Sequence, residues 1–516
     1  MNPMNDGQCI DTPAVDAASP APCAGVAARS LARPADRRSF SGAMVGWAVA
    51  SILAVGPLAA QEWQRLERID VRPDGEPSAD AGPDSPISIS DDGRWVVFAS
   101  NQTDLVPDDS NGTTDVFVRD RKTHTTRRLS LRPDGSQATG SSYFPHASSD
   151  GRFVSFVSGD AQLVAGDNNY KADVFLLDRD ADGNGVFDEP GGTSLARISV
   201  DNAGIELPAG VENVRSAVSD DGHHVAFASS TPIDPVDNNG KSDVYLRDLQ
   251  QARTPVMSIS TAGVIGDKSS PNFFAPPLRI SADGRFVAFS SEATNLVPGD
   301  SNHKTDLFVH DRDSDVNGVF DEPGATRTVR ANVGPGGAQI GSPSPFAHFD
   351  LDGSGRWLVF NSFEDPIGGD PNPSGGDIYV HQLATGAVSR IDMQPSEWIK
   401  GSDSCCGNDT PLVARNAAVV LFRSNQLYSF APGSTSSRGD VLAWTRDAGL
   451  GRLTDYPTPT ETAPGFTAMP LALSDSGAYA VVRIASFEPA HAAQEGTYVH
   501  LRNTVFRSSF ESQMLR

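Results

Sequence analysis

One unit of sequence recurs along this chain, and it constrains the fold more than any other feature. The copy at 280–311 is ISADGRFVAFSSEATNLVPGDSNHKTDLFVHD, and the copy at 89–120 is ISDDGRWVVFASNQTDLVPDDSNGTTDVFVRD. The glycine of the Asp-Gly turn, or its equivalent, marks six copies: Gly93, Gly151, Gly222, Gly284, Gly355 and Gly477. A copy without this glycine lies near Asn416-Ala417. An internal repeat of this length predicts an array of similar structural units.

Each copy contains four segments with the composition of β-strands. A short apolar segment precedes the turn, and an apolar, aromatic segment such as Trp95–Ser100 follows it. The third begins with Asp, as in Asp115–Asp120, and the fourth is polar and alternating, as in Thr126–Leu131. Short continuous apolar segments indicate inner strands that are packed on both faces, whereas alternation indicates an outer strand that faces solvent.

These four-strand units predict an all-β fold, a β-propeller of four-stranded antiparallel blades. One blade cannot bury both of its faces alone, so blades stack radially around a central channel. Seven blades are favoured, and six are the alternative because the copy near Asn416 is degenerate.

The two ends of the repeat array predict how the ring closes. Residues 63–75, WQRLERIDVRPDG, echo RRLSLRPDG at 127–135, the fourth strand of the first full copy with its exit turn. The array therefore begins with an outer strand, whereas the last copy, at 471–502, is short of one. Pairing of these two ends would close the ring without open sheet edges.

Through the segments SADGRFVAF and DLFVHD, the repeat resembles the TolB-like group of WD40-like propeller repeats over roughly residues 63–502. The resemblance implies the propeller fold and an exported bacterial protein. TolB proteins are periplasmic partners in envelope integrity with a further N-terminal domain, for which this sequence has no counterpart. Related propellers precede serine-hydrolase domains in some peptidases, but the fourteen residues after Arg502 are too few for such a domain.

The N-terminal region has the pattern of an export signal. The apolar run AMVGWAVASILAVGPLAA, at 43–60, follows a stretch with Arg29, Arg33, Arg37 and Arg38. A basic region, an apolar region and small residues at the exit predict a cleaved signal, with a single membrane anchor as the alternative. We therefore expect a leader and signal at 1–60, one propeller domain at 61–502 and a C-terminal tail at 503–516. The mature protein would be periplasmic or extracellular, without a membrane span.

Charge and motifs exclude several functional classes. The formal charge of −24 argues against a nucleic-acid surface, which needs a basic footprint to neutralise phosphates. The sequence contains no GxSxG elbow, P-loop or GxGxxG fingerprint. Its ten histidines show no zinc-site spacing.

Two acidic insertions predict structural calcium sites. They are DRDADGNGVFDEPG at 178–191 and DRDSDVNGVFDEPG at 311–324. Oxygen-bearing side chains recur at positions 1, 3, 5 and 9 with glycine at position 6, the spacing of an EF-hand-like Ca²⁺ loop. The alternative is a solvated hairpin tip with Asx-turns. The candidate ligands are Asp180, Asp182, Asn184 and Asp188, and Asp313, Asp315, Asn317 and Asp321.

Two further features have structural or redox interpretations. An Asp-x-Asn-x-x-x-Asp series, such as Asp109, Asn111 and Asp115, recurs in several copies. A loop that caps its own backbone is favoured there over a metal site. Cys405 and Cys406 lie in a loop, 401–411, with no counterpart in the other copies. Either a vicinal disulfide or two free thiols fits these cysteines.

The function expected from these features is that of a non-catalytic, monomeric binding scaffold of the cell envelope or exterior. It would recognise an unidentified protein or ligand across one face of the ring. One alternative is a hydrolase or lyase with its site at the channel mouth, and another is a calcium-stabilised structural surface protein. Histidines, arginines, tyrosines and acids converging from different blades would favour the enzyme, whereas an exposed apolar patch would favour the binding protein.

Overall fold

The computed structural model describes residues 67–78, 84–211, 215–271, 278–340, 348–368, 376–392, 408–424, 440–446, 449–452, 466–486 and 496–501. All of them belong to one compact unit of the chain, 59–516. They form seven antiparallel sheets, six with four strands and one with three. No helix within these ranges is long and apolar enough to cross a membrane. The predicted signal at 1–60, the tail at 503–516, Cys405 and Cys406 lie outside the described residues.

The strands follow one another along the chain, blade by blade. After β1 (Glu67–Arg68), the first blade has β2 (Asp84–Ile89), β3 (Trp95–Ser100), β4 (Asp115–Asp120) and β5 (Thr125–Arg128), and the second has β6 (Ser142–Ala147), β7 (Phe153–Ser158), β8 (Asp173–Asp178) and β9 (Ser194–Arg197). The third has β10 (Ala217–Val218), β11 (His224–Ser229) and β12 (Asp243–Asp248), and the fourth has β13 (Arg279–Ile280), β14 (Phe286–Ser291), β15 (Asp306–Asp311) and β16 (Arg327–Arg330). The fifth has β17 (Phe349–Leu351), β18 (Trp357–Ser362), β19 (Asp377–Gln382) and β20 (Ala387–Arg390), and the sixth has β21 (Asn408–Val413), β22 (Val419–Ser424), β23 (Asp440–Thr445) and β24 (Gly449–Arg452). The seventh has β25 (Phe466–Leu473), β26 (Tyr479–Ser486) and β27 (Gly496–Leu501).

The burial of the strands follows the predicted pattern. Every residue of β3 and β4 is buried, whereas β5 alternates between exposed and half-buried residues. Aromatic side chains pair between the second and third strands, as in Phe98 with Phe117, whose ring centroids lie 5.9 Å apart. The apolar clusters join neighbouring blades, and one unites Val97 of the first blade with Phe156 of the second. The hydrophobic core therefore lies between the blades, as radial stacking requires.

The ring closes as the sequence predicts. β1 pairs antiparallel with β27, with Glu67 opposite Val499 and Arg68 opposite Tyr498. The Ile69 amide then donates to the Thr497 carbonyl at 2.9 Å. The N-terminal segment thereby supplies the outer strand of the seventh blade. The sheet β21–β24 shows that the degenerate copy is a blade of its own, which confirms seven blades rather than six.

The turn glycine recurs because the neighbouring blade approaches the turn closely. A Cβ atom at Gly93 would collide with the ring of Tyr479 in the seventh blade, and the φ of Gly93 is +69°. The degenerate sixth copy has Ala417 here, with a φ of +50°. A left-handed conformation disfavours a residue with a side chain. The glycine pattern is therefore a direct consequence of blade stacking.

Candidate ligand-binding channel

The two acidic insertions are the hairpins that connect β8 to β9 and β15 to β16. In the first, the buried Arg179 donates to both oxygens of Asp188, at 2.8 and 2.6 Å. Asp180 accepts the Gly185 amide at 3.1 Å. In the second, Arg312 donates to both oxygens of Asp321, at 2.9 and 2.7 Å. Predicted ligands of both insertions are therefore already bound by protein N–H groups.

The remaining predicted ligands form Asx-type turns. Asn184 accepts the Val186 amide at 2.7 Å, and its own amide donates to Asp182 at 3.0 Å. In the second insertion, Asn317 donates to Asp315 at 3.1 Å, and Asp313 accepts the Gly318 amide at 3.0 Å. The structure thus brings the four oxygen-bearing side chains of each insertion into one hairpin. Calcium binding there stays a prediction.

The Asp-x-Asn-x-x-x-Asp series fixes the loop between the second and third strands of a blade. The Asn111 amide donates to Asp115 and to the Ala138 carbonyl, both at 2.8 Å. In the third blade, Asn239 donates to Asp243 at 2.7 Å and to the Gly266 carbonyl at 2.9 Å. Each asparagine therefore joins the loop to the third strand and to the segment that leads to the next blade. These bonds support the structural interpretation of the series.

The innermost strands enclose a cavity of about 490 Å³. Its wall draws residues from all seven blades, from Pro86–Ile89 in the first to Met469–Leu473 in the seventh. Part of the wall is apolar, with Ile87 and Leu471 among its members. A cavity of this volume matches the size of small-molecule sites in proteins.

The Asp-Gly turns and their equivalents lie at one end of the channel. Their backbones are bonded from turn to turn, as in the Asp91 amide to the Ser149 carbonyl at 2.7 Å. The Gly353 amide of the fifth blade donates to Asp475 of the seventh at 3.2 Å. Arg415 of the sixth blade pairs with Asp475 at 2.5 Å and lies 3.8 Å from Asp220 of the third. Contacts between blades that are not neighbours show that side chains span this end.

Two carboxyl groups at this end of the channel lie in an environment that disfavours their charged form. Burial raises the pKa of Asp475 to about 6, although the Arg415 guanidinium acts in the opposite direction. The charge of Asp91 adds to the increase. Burial likewise raises the pKa of Asp220. A proton bound by Asp475 therefore favours the folded state, because the ordinary pKa of an unfolded aspartate is about 4.

We expect the Asp475→Asn variant to show a flatter pH profile of stability than the wild-type protein. The raised pKa contributes stability below about pH 4 that is lost as the pH rises through about 6. Relative to the variant, the wild-type free energy of unfolding should fall by up to about 3 kcal/mol between pH 4 and pH 7. Urea unfolding of both proteins across this range measures the difference. Parallel profiles would contradict the assignment.

A polar layer lies deeper in the channel, at the fifth residue before each turn glycine. There, Ser88 accepts the Ala147 amide at 3.2 Å, and the Nδ1 atom of His146 accepts the Val218 amide at 3.2 Å. Each of these side chains binds a backbone amide of the next blade. Since Nδ1 of His146 accepts this bond, the proton of the neutral ring is on Nε2. Burial, assisted by the charge of Arg279, lowers the pKa of His146 to about 3, so the ring is neutral at pH 7.

Asp350 and Arg279 complete this layer. Arg279 donates to one carboxylate oxygen of Asp350, and the Val413 amide donates to the other at 2.9 Å. Both oxygens of Asp350 are therefore engaged. The layer links the first three blades through Ser88 and His146, and the fourth, fifth and sixth blades through Arg279 and Asp350.

Arg215 lies two positions further from its turn, at the seventh residue before Gly222. Its guanidinium carbon lies 5.4 Å from the ring centroid of Phe144, a cation–π distance. Burial and the like charge of Arg279 lower the pKa of Arg215 to about 10, which leaves it positively charged at neutral pH. Within the described ranges, no hydrogen bond or ion pair engages its guanidinium group. The cavity therefore contains a cation without a carboxylate partner among these residues.

Sequence reasoning missed the channel residues. His146, Arg279 and Asp350 occupy a repeat position at which the third, sixth and seventh blades have Ala217, Leu412 and Ala472. Alignment of the copies on the turn glycine would have shown this departure from the repeat. The identity of the channel wall, however, depends on knowing which position of the first strand faces the axis.

Comparisons with known proteins do not assign this chain to a family. No family model and no curated protein matches the chain. Solved structures that align with it include TolB from Acinetobacter baumannii, with 13% identity over 73% of this chain and 64% of that chain, and a TM-score of 0.33. They also include the propeller domain of the Trilobed protease from Pyrococcus furiosus, with 10% identity, coverage of 82% and 97%, and a TM-score of 0.43. A third is an oligogalacturonate lyase in complex with manganese, with 11% identity, coverage of 81% and 89%, and a TM-score of 0.43. The chain thus spans less than two thirds of the length of the Acinetobacter TolB, and the seven-bladed fold rests on its own sheets.

Proposed function

We propose that this protein is a non-catalytic binding scaffold that takes a carboxylate of its ligand into the channel at Arg215. The observation that carries the proposal is the position of this guanidinium group in the cavity wall, with no anionic partner among the described residues. Arg215 is half-buried, and a cation that loses part of its hydration is stabilised by a nearby opposite charge. A bound carboxylate would supply that charge.

The chemistry of the cavity favours a carboxylate in particular. A guanidinium group presents a planar fork of N–H donors that matches the two oxygens of a carboxylate. Arg279 adds a second positive charge close enough to lower the pKa of Arg215. The Nε2–H group of His146 adds a neutral donor to the same wall. One small carboxylated molecule, or one acidic side chain or C-terminus of a protein partner, fits a cavity of about 490 Å³.

A second candidate function is that of a hydrolase or lyase. The convergence of His146, Arg279 and Asp350 from three blades favours this possibility. Acid–base chemistry, however, needs a group that is free to exchange a proton with the substrate. The Nδ1 atom of His146 and both oxygens of Asp350 already accept hydrogen bonds. These bonds support binding over catalysis.

The cellular setting belongs to the same proposal. The basic and apolar segments before residue 61 support export to the periplasm or the exterior, where the protein would act as a monomer. Structural calcium at the two acidic hairpins would fit such a setting. Removal of the leader on export, detected by N-terminal sequencing of the protein from its native cells, is the expected result. An intact N-terminus would contradict cleavage.

Carboxylate binding is testable with simple probes. We expect citrate or succinate to raise the thermal unfolding temperature of the wild-type protein at constant ionic strength. The Arg215→Gln variant should lose at least about tenfold in affinity, because a charged hydrogen bond contributes roughly 1.5–3 kcal/mol. The matched control is Arg152→Gln, since Arg152 pairs with Asp178 outside the cavity wall and should leave binding unchanged. Equal binding by Arg215→Gln, or no response of the wild-type protein to either anion, would contradict the proposal.

A further inference from the structure

A charge cluster recurs in the outer part of the first, second and fourth blades, and it differs in the second. In the first blade, Arg128 bridges two aspartates, with Nη2 at 3.0 Å from Asp109 and Nε at 3.3 Å from Asp115. In the fourth blade, Arg330 bridges Asp300 and Asp306 at 3.3 and 3.2 Å. One arginine thus serves two carboxylates, which leaves a net charge of −1 in each of these clusters.

A glutamine completes the cluster in both blades. Gln137 and Gln339 occupy equivalent places, since each forms an isolated bridge with a residue just after the fourth strand, Leu131 and Val333 respectively. The Gln339 amide donates to Asp300 at 3.0 Å. The Gln137 carbonyl accepts from Arg128 at 2.8 Å. The side-chain amide thus supplies a donor to the cluster of the fourth blade and an acceptor to that of the first.

The second blade has Glu206 at this place, paired with Val200 in the same kind of bridge. Glutamate has no N–H group to donate, so Asp167 loses the bond that Asp300 receives from Gln339. The negative charge also draws the arginine away. Arg197 lies 2.8 Å from Glu206, but 3.8 Å from Asp173.

Buried aspartate oxygens without a hydrogen bond occur in all three clusters, at Asp109, Asp300 and Asp306 as well as in the second blade. In the first and fourth blades an arginine lies within 3.3 Å of each aspartate, a distance that Arg197 does not reach in the second. Oδ1 of Asp167 and Oδ2 of Asp173 are buried atoms that accept no hydrogen bond. Asp173 is 0% exposed, and its other oxygen is bonded to Ser199. One oxygen from each of Asp167, Asp173 and Glu206 lies within 4.8 Å of the others. Three carboxylates and one guanidinium give a net charge of −2, one unit more negative than the cluster of the first or fourth blade.

We propose that Asp167, Asp173 and Glu206 bind one Ca²⁺ ion in the second blade. Three carboxylates at this separation repel one another, and the fully buried oxygen of Asp173 points to a missing positive partner. Ca²⁺ prefers hard oxygen ligands and tolerates irregular geometry and water ligands. Glu206 and Asp167 are half-buried, so an ion can reach the site from solvent. The charge of −2 matches a divalent cation.

This site is separate from the two acidic hairpins and from the carboxylate site in the channel. None of its three ligands belongs to 178–191 or 311–324, and none lines the central cavity. Its ligands come from the loop after β7, from the start of β8 and from the segment after β9. The ion would therefore join three parts of one blade.

The first and fourth blades suggest the test variant, Glu206→Gln, which places in the second blade the residue type of Gln137 and Gln339. Calorimetric titration of the metal-free, full-length protein with CaCl₂ should show one fewer ion per chain in this variant than in the wild-type protein. At calcium about a hundredfold above the dissociation constant, the wild-type unfolding temperature should exceed that of its metal-free form by about 3 °C more than the variant's does. Metal-free Glu206→Gln should be at least as stable as metal-free wild type.

A second variant separates this site from the hairpins. The Asp182→Asn, Asp315→Asn protein changes one exposed carboxylate in each hairpin and should retain the ion that Glu206→Gln loses. The same calcium stoichiometry in wild type and Glu206→Gln would overturn the proposal. The proposal would also be overturned if the wild-type protein takes up no calcium while metal-free Glu206→Gln is more stable than metal-free wild type. In that case a proton shared between the carboxyl groups fills the role of the ion.

Discussion

Replacement of Arg179 by alanine is expected to lower the free energy of unfolding by about 3–5 kcal/mol, as is typical when one partner of a buried ion pair is removed. Arg179 is fully buried and donates to both oxygens of Asp188 and to the Gly151 carbonyl at 2.6 Å. Its guanidinium carbon also lies 4.3 Å from the ring centroid of Trp95 in the first blade. Removal would leave the Asp188 carboxylate without its cation and a void between two blades.

The control for this prediction is a half-exposed ion pair of the same chemistry in the same blade. Arg152 donates to both oxygens of Asp178 at 2.7 and 2.8 Å, but its side chain is 30% exposed. Arg152→Ala should cost less than about 1 kcal/mol, because solvent screens an exposed pair. Urea unfolding of the two variants gives the comparison. Equal losses of stability in both would show that burial of Arg179 has no energetic consequence.

The fold could be predicted because each blade uses the same arrangement of strands and turn, packed against its neighbour. The turn glycines are spaced as they are because each turn packs against the neighbouring blade, as Gly93 does against Tyr479. The degenerate sixth blade was the uncertain element, since Ala417 stands where glycine is expected. Its strands still pair because the apolar residues of β22, such as Val420 and Phe422, are fully buried between blades. The apolar residues of β22 therefore indicated a strand even though the turn before it has no glycine.

The candidate site could not be predicted because each of its residues is found in only one copy of the repeat. His146, Arg279 and Asp350 become neighbours only when three separate blades meet at the axis. Glu206 differs from Gln137 and Gln339 by one functional group, yet it changes the charge of its cluster and the position of an arginine. In the acidic hairpins, the spacing showed the oxygen ligands but not that Arg179 and Arg312 bind Asp188 and Asp321.

Ring closure depends on a short segment whose removal should have a large effect. β1 contributes only Glu67–Arg68 to the seventh blade, and the residue that follows, Ile69, is fully buried. Ile69 belongs to a cluster that includes Leu471 and Val499 of the seventh blade and Phe98 of the first. Its side chain therefore packs at the junction where the two ends of the chain meet.

Ile69→Ala is expected to lower the free energy of unfolding by about 2–5 kcal/mol, the range for removing a large buried aliphatic side chain. The control is Ile205→Ala, since Ile205 is 62% exposed and its truncation should change stability by less than about 0.5 kcal/mol. Limited proteolysis should then cut Ile69→Ala first at 67–78, because weaker packing of β1 exposes its backbone before the rest of the ring opens. If both alanine variants unfold alike, the closing strand contributes little to stability. A ring that stays stable without this contact would have to be held by the blade interfaces alone, and the match between β1 and the incomplete seventh blade would then determine the topology of the fold but not its stability.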